Sequence, residues 1–223
     1  IENALKKGAV ASVVSRTVDG IAQDVPILKV IDTIQALDEL GRGGRNRSAA
    51  NIIGVTGSVG KTGVKEALGS LLSGQGRASF NLGSYNNHFG VPLSLARLPR
   101  DADYGIFELG MNHSGELTRL SQIVCPNVAL ITTVEAAHTE FFSSTDEVAL
   151  AKAEIFDGLQ KGGTAILNRD NQYFDLLRLA ALSAGAGNII SFGEHSDSQF
   201  RLIDFVLDSQ GSSVKVCWDN SNF

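Results

Sequence analysis

From Asn51 onward the chain alternates between short apolar runs and stretches with helical spacing. Residues 52–56, 104–109, 128–133 and 164–168 are apolar and end in polar or Gly-rich turns. Residues 62–72, 117–124, 145–160 and 172–184 carry apolar positions at helical period. Continuous apolar strands followed by helices predict βαβ units and a mostly parallel sheet flanked by helices, an α/β fold. The last stretch differs. Residues 200–207 and 212–218 read as strands with Gln210-Gly211 between them, which predicts an antiparallel hairpin at the sheet edge.

Residues 1–47 read as a separate unit, part of a small α/β domain. It comprises a short helix end, strands at 9–15 and 27–30, and a helix from about Thr33. The run Gly41-Arg-Gly-Gly-Arg-Asn-Arg47 has linker composition and predicts the boundary, so that 48–223 forms the main domain. Its three arginines are either a solvated hinge or contacts to a phosphate. The chain opens on Ile1 rather than Met, which suggests a piece of a longer protein.

Composition narrows the function classes. At 223 residues, 43% hydrophobic and 19% charged, the chain is an ordinary globular protein rather than a disordered one. A net charge of −5 without a basic run argues against nucleic acid as a partner. No apolar run approaches the roughly 18 residues of a membrane span, and no signal peptide is visible. Cys125 and Cys217 lie far apart without metal-type spacing, which suggests a reducing cytoplasm. A monomer is expected.

The strongest local signal is Gly54-Val-Thr56-Gly57-Ser58-Val59-Gly60-Lys61-Thr62, between an apolar run and a helix. Glycines allow several backbone N–H groups to point at one anion, and the helix N-terminus adds partial positive charge. Lys61 is placed to reach the β- and γ-phosphates of ATP or GTP, and the Thr62 hydroxyl to bind Mg2+. The generic phosphate loop has a glycine where Val55 stands, so the match is shortened. It still defines a P-loop-type sheet, at whose strand ends ligands gather. Four further polar groups stand at such ends: Glu108, His138, Asn168 with Asp170, and the Asn86-Asn87 pair before Gly90-Val-Pro92.

Lys152 is the most informative single residue. In the helix 145–160, opened by the capping pattern Ser144-x-x-Glu147, the apolar stripe Val148, Ile155, Phe156, Leu159 includes Lys152 at i+4. An ammonium there must snorkel, pair with a carboxylate or lose its charge. A neutral, desolvated amine is nucleophilic and can take up CO2 as a carbamate, turning a misplaced cation into an anionic metal ligand.

Together, Thr56-Gly-Ser-Val-Gly-Lys-Thr62, Asn86-Asn87, Glu108, His138, Ala-Lys152-Ala-Glu-Ile-Phe and Leu-Asn168-Arg-Asp-Asn171 resemble the ATP-dependent Mur ligases of peptidoglycan synthesis. The resemblance runs in order over about residues 1–190, and the shortened phosphate loop belongs to that family's pattern. Phe107-Glu-Leu-Gly-Met-Asn-His-Ser-Gly-Glu116 is most similar to the branch that adds D-Ala-D-Ala to UDP-MurNAc-tripeptide. The resemblance implies that residues 1–47 end a UDP-sugar-binding domain, that 48–223 are most of a central ATPase domain, and that a C-terminal domain lies outside the chain. It implies that Lys61 and the amides of Thr56–Thr62 hold the ATP phosphates, with Lys61, Glu108, His138 and Lys152 catalytic. Thr62 and Glu108 would bind one Mg2+, and His138 and carbamylated Lys152 a second. Asn168 would lie at the adenine, with Asp170 also binding ATP, and Asn86 and Asn87 would face the reacting phosphate and substrate. Gly63 departs from the family, which has a second hydroxyl residue there. The activity implied is that of a bacterial cytoplasmic ligase that forms an amide through an acyl phosphate. Rival readings are another amide ligase of this superfamily, or a P-loop nucleotide-binding module without ligase chemistry.

Overall fold

The structure is a computed structural model. It describes residues 1–17, 25–81, 83, 85–136, 141–209 and 211–218, and the backbone of 221–222. The small unit comes first: α1 (Glu2–Lys6), then β1 (Ser12–Val14) and β2 (Ile27–Lys29), which pair in parallel. The helix α2 (Thr33–Asn46) follows, its N-terminus capped by Asp32 Oδ1, which accepts from Ile34 N at 2.6 Å and Gln35 N at 3.1 Å.

The main unit supplies β3 (Asn51–Thr56), α3 (Lys61–Ser73), β4 (Ala78–Phe80), α4 (Gly90–Ala96), β5 (Tyr104–Glu108), α5 (Glu116–Val124), β6 (Val128–Ile131), α6 (Thr145–Ala153), β7 (Thr164–Asn168), α7 (Phe174–Ser183), β8 (Asn188–Gly193), β9 (Phe200–Leu207), β10 (Ser212–Trp218) and β11 (Ser221–Asn222). Among the described residues these strands form one sheet in the order β11-β10-β9-β8-β7-β6-β3-β5-β4. The strands from β4 across to β9 run parallel, and β9, β10 and β11 pair antiparallel. The expected hairpin is present, with β11 outside it. Sequence reasoning passes over β4, α4 and β8, which are too short or too mixed to carry a clear period.

Topology decides where a ligand can sit. β5 and β6 flank β3 on opposite sides, so the chain reverses its direction across the sheet at β3. Such a reversal opens a crevice at the carboxyl ends of the strands. The core beneath it is continuous: Ile52, Phe107, Ala129, Ile131, Ala165 and Leu167 from the strands are buried against Leu117, Leu120, Ile123, Ile155, Phe156 and Leu177 from the helical layer. The expected helix 145–160 ends early. α6 stops at Ala153 and a 3-10 turn (Glu154–Gly158) continues it, because Gly158 packs directly on the backbone of Ser121. Among the described residues no helix is long and apolar enough to cross a membrane.

The run 41–47 is not a linker loop. It is the end of α2, and its glycines permit close helix packing: Gly41 faces the backbone of Pro92, and a Cβ on Gly44 would overlap the Leu95 carbonyl of α4. Its arginines are neither a solvated hinge nor phosphate ligands. Arg42 donates to Gln122 O, Arg45 to Val124 O and Cys125 O, and Arg47 to Ala96 O and Leu98 O. Guanidinium groups therefore satisfy the open carbonyls at the C-termini of α5 and α4. Gly44→Ala is expected to cost at least about 2 kcal/mol in urea melts through overpacking. A solvated linker would lose about 0.5 kcal/mol or less.

Candidate functional site

The phosphate loop leaves β3 at Thr56 and enters α3 at Lys61. Gly57 (φ +149°) and Gly60 (φ +83°) take backbone angles that favour glycine, and a Cβ on Gly57 would overlap the Thr132 hydroxyl. The segment after β6 braces the loop from the other side. Ser58 N donates to Thr133 O at 2.9 Å, the Ser58 hydroxyl bridges Glu135 O and N, and Thr132 Oγ1 donates to Val59 O. Lys61 Nζ folds back onto Gly57 O at 2.6 Å and Ser58 O at 3.4 Å, so the loop presents a charged donor at its mouth. Thr56 is 1% exposed, and its hydroxyl has no hydrogen-bond partner among the described residues, an orphaned donor beside the loop.

Glu108 ends β5, the neighbour of β3, with Val55 paired to it in register. Its carboxylate is 2% exposed and accepts from Thr62 Oγ1 at 2.9 Å and Asn86 Nδ2 at 2.7 Å, both neutral donors. A buried carboxylate with only neutral hydrogen bonds retains a demand for positive charge. Lys61 partly meets it: burial lowers the Lys61 pKa, and the charge of Glu108 opposes that shift. The oxygen donors of Thr62 and Glu108 suit a hard divalent cation whose remaining ligands come from phosphate and water. Among the described residues no group of three or more His, Cys, Asp or Glu could hold a metal ion.

Lys152 lines the same cleft as Lys61. It is 2% exposed, so the snorkelling alternative does not hold, and no carboxylate pairs with it among the described residues. Burial pushes its ammonium down to about 7, and the charge of Lys61 acts in the same direction. The α6 N-terminus is capped as expected, Ser144 Oγ accepting from Glu147 N at 3.2 Å.

Lys61 and Lys152 border one cleft of about 480 Å³, lined also by Thr56, Gly57, Asn86, Asn87, His88, Asn112, His113, Glu116 and Arg119; Glu108 and Thr62 join it through Asn86. His138 lies outside the described residues. Asn168 and Asp170 are not among the lining residues. Asn168 reaches Thr132 O at 3.4 Å and caps its own turn by accepting from Asp170 N, while Asp170 accepts from Glu194 N at 2.7 Å and His195 N at 2.8 Å. Asn168 is thus linked to the phosphate loop through Thr132, and Asp170 is turned to the segment after β8. Asn87 Oδ1 accepts from Phe89 N and Gly90 N, starting α4. Among the described residues outside its own helix turn, none lies within 4 Å of where a side chain at Gly63 would begin, so sterics do not require glycine there.

Three contributors escape sequence reasoning: Asn81, Lys65 and Arg119. Asn81 is 1% exposed and grips the Glu108 backbone, Oδ1 accepting from Glu108 N at 3.0 Å and Nδ2 donating to Glu108 O at 3.2 Å. Lys65 is one turn after Lys61 on the same helix face, a spacing that offers the one signal available. Arg119 reaches from α5 to Asp38 of α2, with Nη2 at 2.6 Å from Oδ2.

The fold and this strand-end cluster define a P-loop-type α/β domain, and the comparisons give its family. The chain belongs to the Mur ligase middle domain family, which matches residues 55–223. A UDP-N-acetylmuramoyl-tripeptide–D-alanyl-D-alanine ligase of Rickettsia prowazekii is 41% identical over 203 residues, 91% of this chain and 45% of that protein. A crystal structure of MurF from Acinetobacter baumannii superposes with a TM-score of 0.88 at 32% identity, covering 100% of this chain and 48% of the other. MurF ligase from Thermotoga maritima in complex with ADP gives 0.83 at 26% identity, covering 100% and 50%. The chain thus spans about half the length of the relatives it matches.

The lowered pKa of Lys152 has a sign that stability can report. Its folded value of about 7 lies below the ordinary 10.5, so between these pH values the unfolded chain binds the extra proton and stability rises with pH. In CO2-free urea melts from about pH 7.5 to 9.5, wild type is expected to gain about 1 kcal/mol per pH unit over Lys152→Met. A pH-independent difference contradicts a desolvated amine.

Proposed function

We propose that this chain carries the nucleotide-binding part of a bacterial cytoplasmic, ATP-dependent ligase that joins D-Ala-D-Ala to UDP-MurNAc-tripeptide. In this reading residues 1–47 end a UDP-sugar-binding domain, 48–223 form most of the central domain, and the protein acts as a monomer. The observation that carries the proposal is the Thr62–Glu108–Asn86 cluster at the mouth of the phosphate loop, with Asn86 lining the same cleft as the desolvated Lys152. The likeness to D-Ala-D-Ala-adding ligases along most of the chain, and to one solved with ADP, supports it.

The roles follow from chemistry. Amides of the loop from Thr56 to Thr62 and the Lys61 ammonium bind the ATP phosphates. Thr62 and Glu108 hold one Mg2+, and His138 and Lys152 a second; bound there, the ions supply neutralisation of phosphate charge. Lys152 serves as its carbamate: the neutral amine bonds to the carbon of CO2, one proton leaves to solvent, and an anionic oxygen replaces a cation. Asn86 and Asn87 face the reacting phosphate, and Asn168 and Asp170 stand on the nucleotide side. The tripeptide carboxylate then attacks the γ-phosphorus, and the bond to the ADP oxygen breaks. The amine of D-Ala-D-Ala attacks the resulting acyl carbon, phosphate leaves, and a proton passes to solvent as the amide forms.

Because the oxygen that attacks phosphorus departs with it, 18O in the tripeptide carboxylate is expected to appear in released phosphate, one atom per amide formed. Phosphate without label contradicts the acyl phosphate.

A further inference from the structure

Helix α3 carries a second lysine that phosphate binding leaves unused. Lys65 is 1% exposed, and its ammonium donates to two main-chain carbonyls, Asn81 O at 3.0 Å and Gly83 O at 3.2 Å. The carboxylate of Glu66 lies 3.9 Å away on the solvent side. A buried ammonium is tolerated only while its donors are met. The two carbonyls are therefore held as firmly as the charge is buried, and the segment that carries them is held with them.

That segment leads to the cation site by continuous hydrogen bonds. Asn81 grips both main-chain groups of Glu108 and also donates from Nδ2 to Tyr85 O at 2.8 Å. One residue further, Asn86 O accepts from Gly110 N at 2.8 Å, and Asn86 Nδ2 reaches Glu108 Oε1. Oε2 is left to Thr62. Lys65, Asn81 and Asn86 thus frame Glu108 from behind, and none of them except Asn86 borders the cleft.

We propose that Lys65 is a positioning residue for the Glu108 carboxylate: it anchors the carbonyls of Asn81 and Gly83, and through Asn81 and Asn86 fixes the orientation in which Glu108 and Thr62 receive a divalent cation. This rests on the reading that Thr62 and Glu108 hold the Mg2+ of a bound nucleotide. Lys65 itself touches neither nucleotide nor metal. Partners that orient metal ligands in this way change metal affinity when removed, while the ligands themselves stay in place.

The test is a Mg2+ titration at fixed ADP, followed by calorimetry, with ADP binding in EDTA as the metal-free reference. Lys65→Met is expected to raise the half-saturating Mg2+ by about tenfold or more and to leave ADP binding in EDTA nearly unchanged. Lys65→Gln, which keeps an N–H donor, recovers part of the loss. Asn81→Ala leaves the ammonium in place but cuts the next link, so it gives a similar shift, and the double variant Lys65→Met/Asn81→Ala is no worse than either alone. Should Lys65→Met fail to fold, Lys65→Gln and Asn81→Ala decide. An unchanged Mg2+ requirement in the folded Lys65 variant, or an equal loss of ADP binding with and without Mg2+, overturns the positioning role. Mg2+-independent ADP binding in wild type overturns instead the reading of Thr62 and Glu108 on which it rests.

Discussion

A carboxylate kept dry at the end of a central strand is the constraint around which the rest of this structure is arranged. Glu108 is 2% exposed and its two side-chain partners are uncharged. Desolvating an anion in this way is unfavourable until a cation arrives, so the site stores a demand for positive charge. Lys61 opposite and Thr62 beside it are delivered by the first turn of α3, and that turn is aimed by two glycine angles in the phosphate loop. The reversal of chain direction at β3 supplies the crevice in which these groups meet.

Lys152 is the same problem with the opposite sign. Its amine is buried without a carboxylate partner among the described residues, and Lys61 adds like charge, so the proton is held weakly. A buried carboxylate with only neutral side-chain partners and a buried amine that holds its proton weakly are more typical of sites that handle phosphate and metal than of cores built for stability.

Much of this was legible along the chain, for identifiable reasons. The phosphate loop depends on local backbone chemistry, which glycine spacing reveals directly. Glu108 stands at the end of a continuous apolar run, and Lys152 interrupts an apolar stripe; both are departures from a period. What depended on tertiary packing was misread or missed. Gly41 and Gly44 have linker composition but serve a close helix crossing, and the arginines beside them cap helices about 50 (Arg47) and about 80 (Arg42, Arg45) residues away in sequence. Lys65 looks like any exposed helical lysine until β4 and the turn after it close over it. Asp170 carries the residue type of a nucleotide ligand, but its carboxylate is engaged by the amides of Glu194 and His195. Its place on the nucleotide side remains a proposal carried by the family likeness.

The central claim, that this cleft couples ATP cleavage to amide formation, is tested most directly by phosphate release from the protein that carries this chain. MgATP, UDP-MurNAc-tripeptide and D-Ala-D-Ala are supplied singly, in pairs and together. The account predicts sustained release only when all three are present, because the acyl phosphate needs the carboxylate to form and the amine to be consumed. Steady release from MgATP alone, indifferent to the other two, would contradict it and leave a plain nucleotide hydrolase.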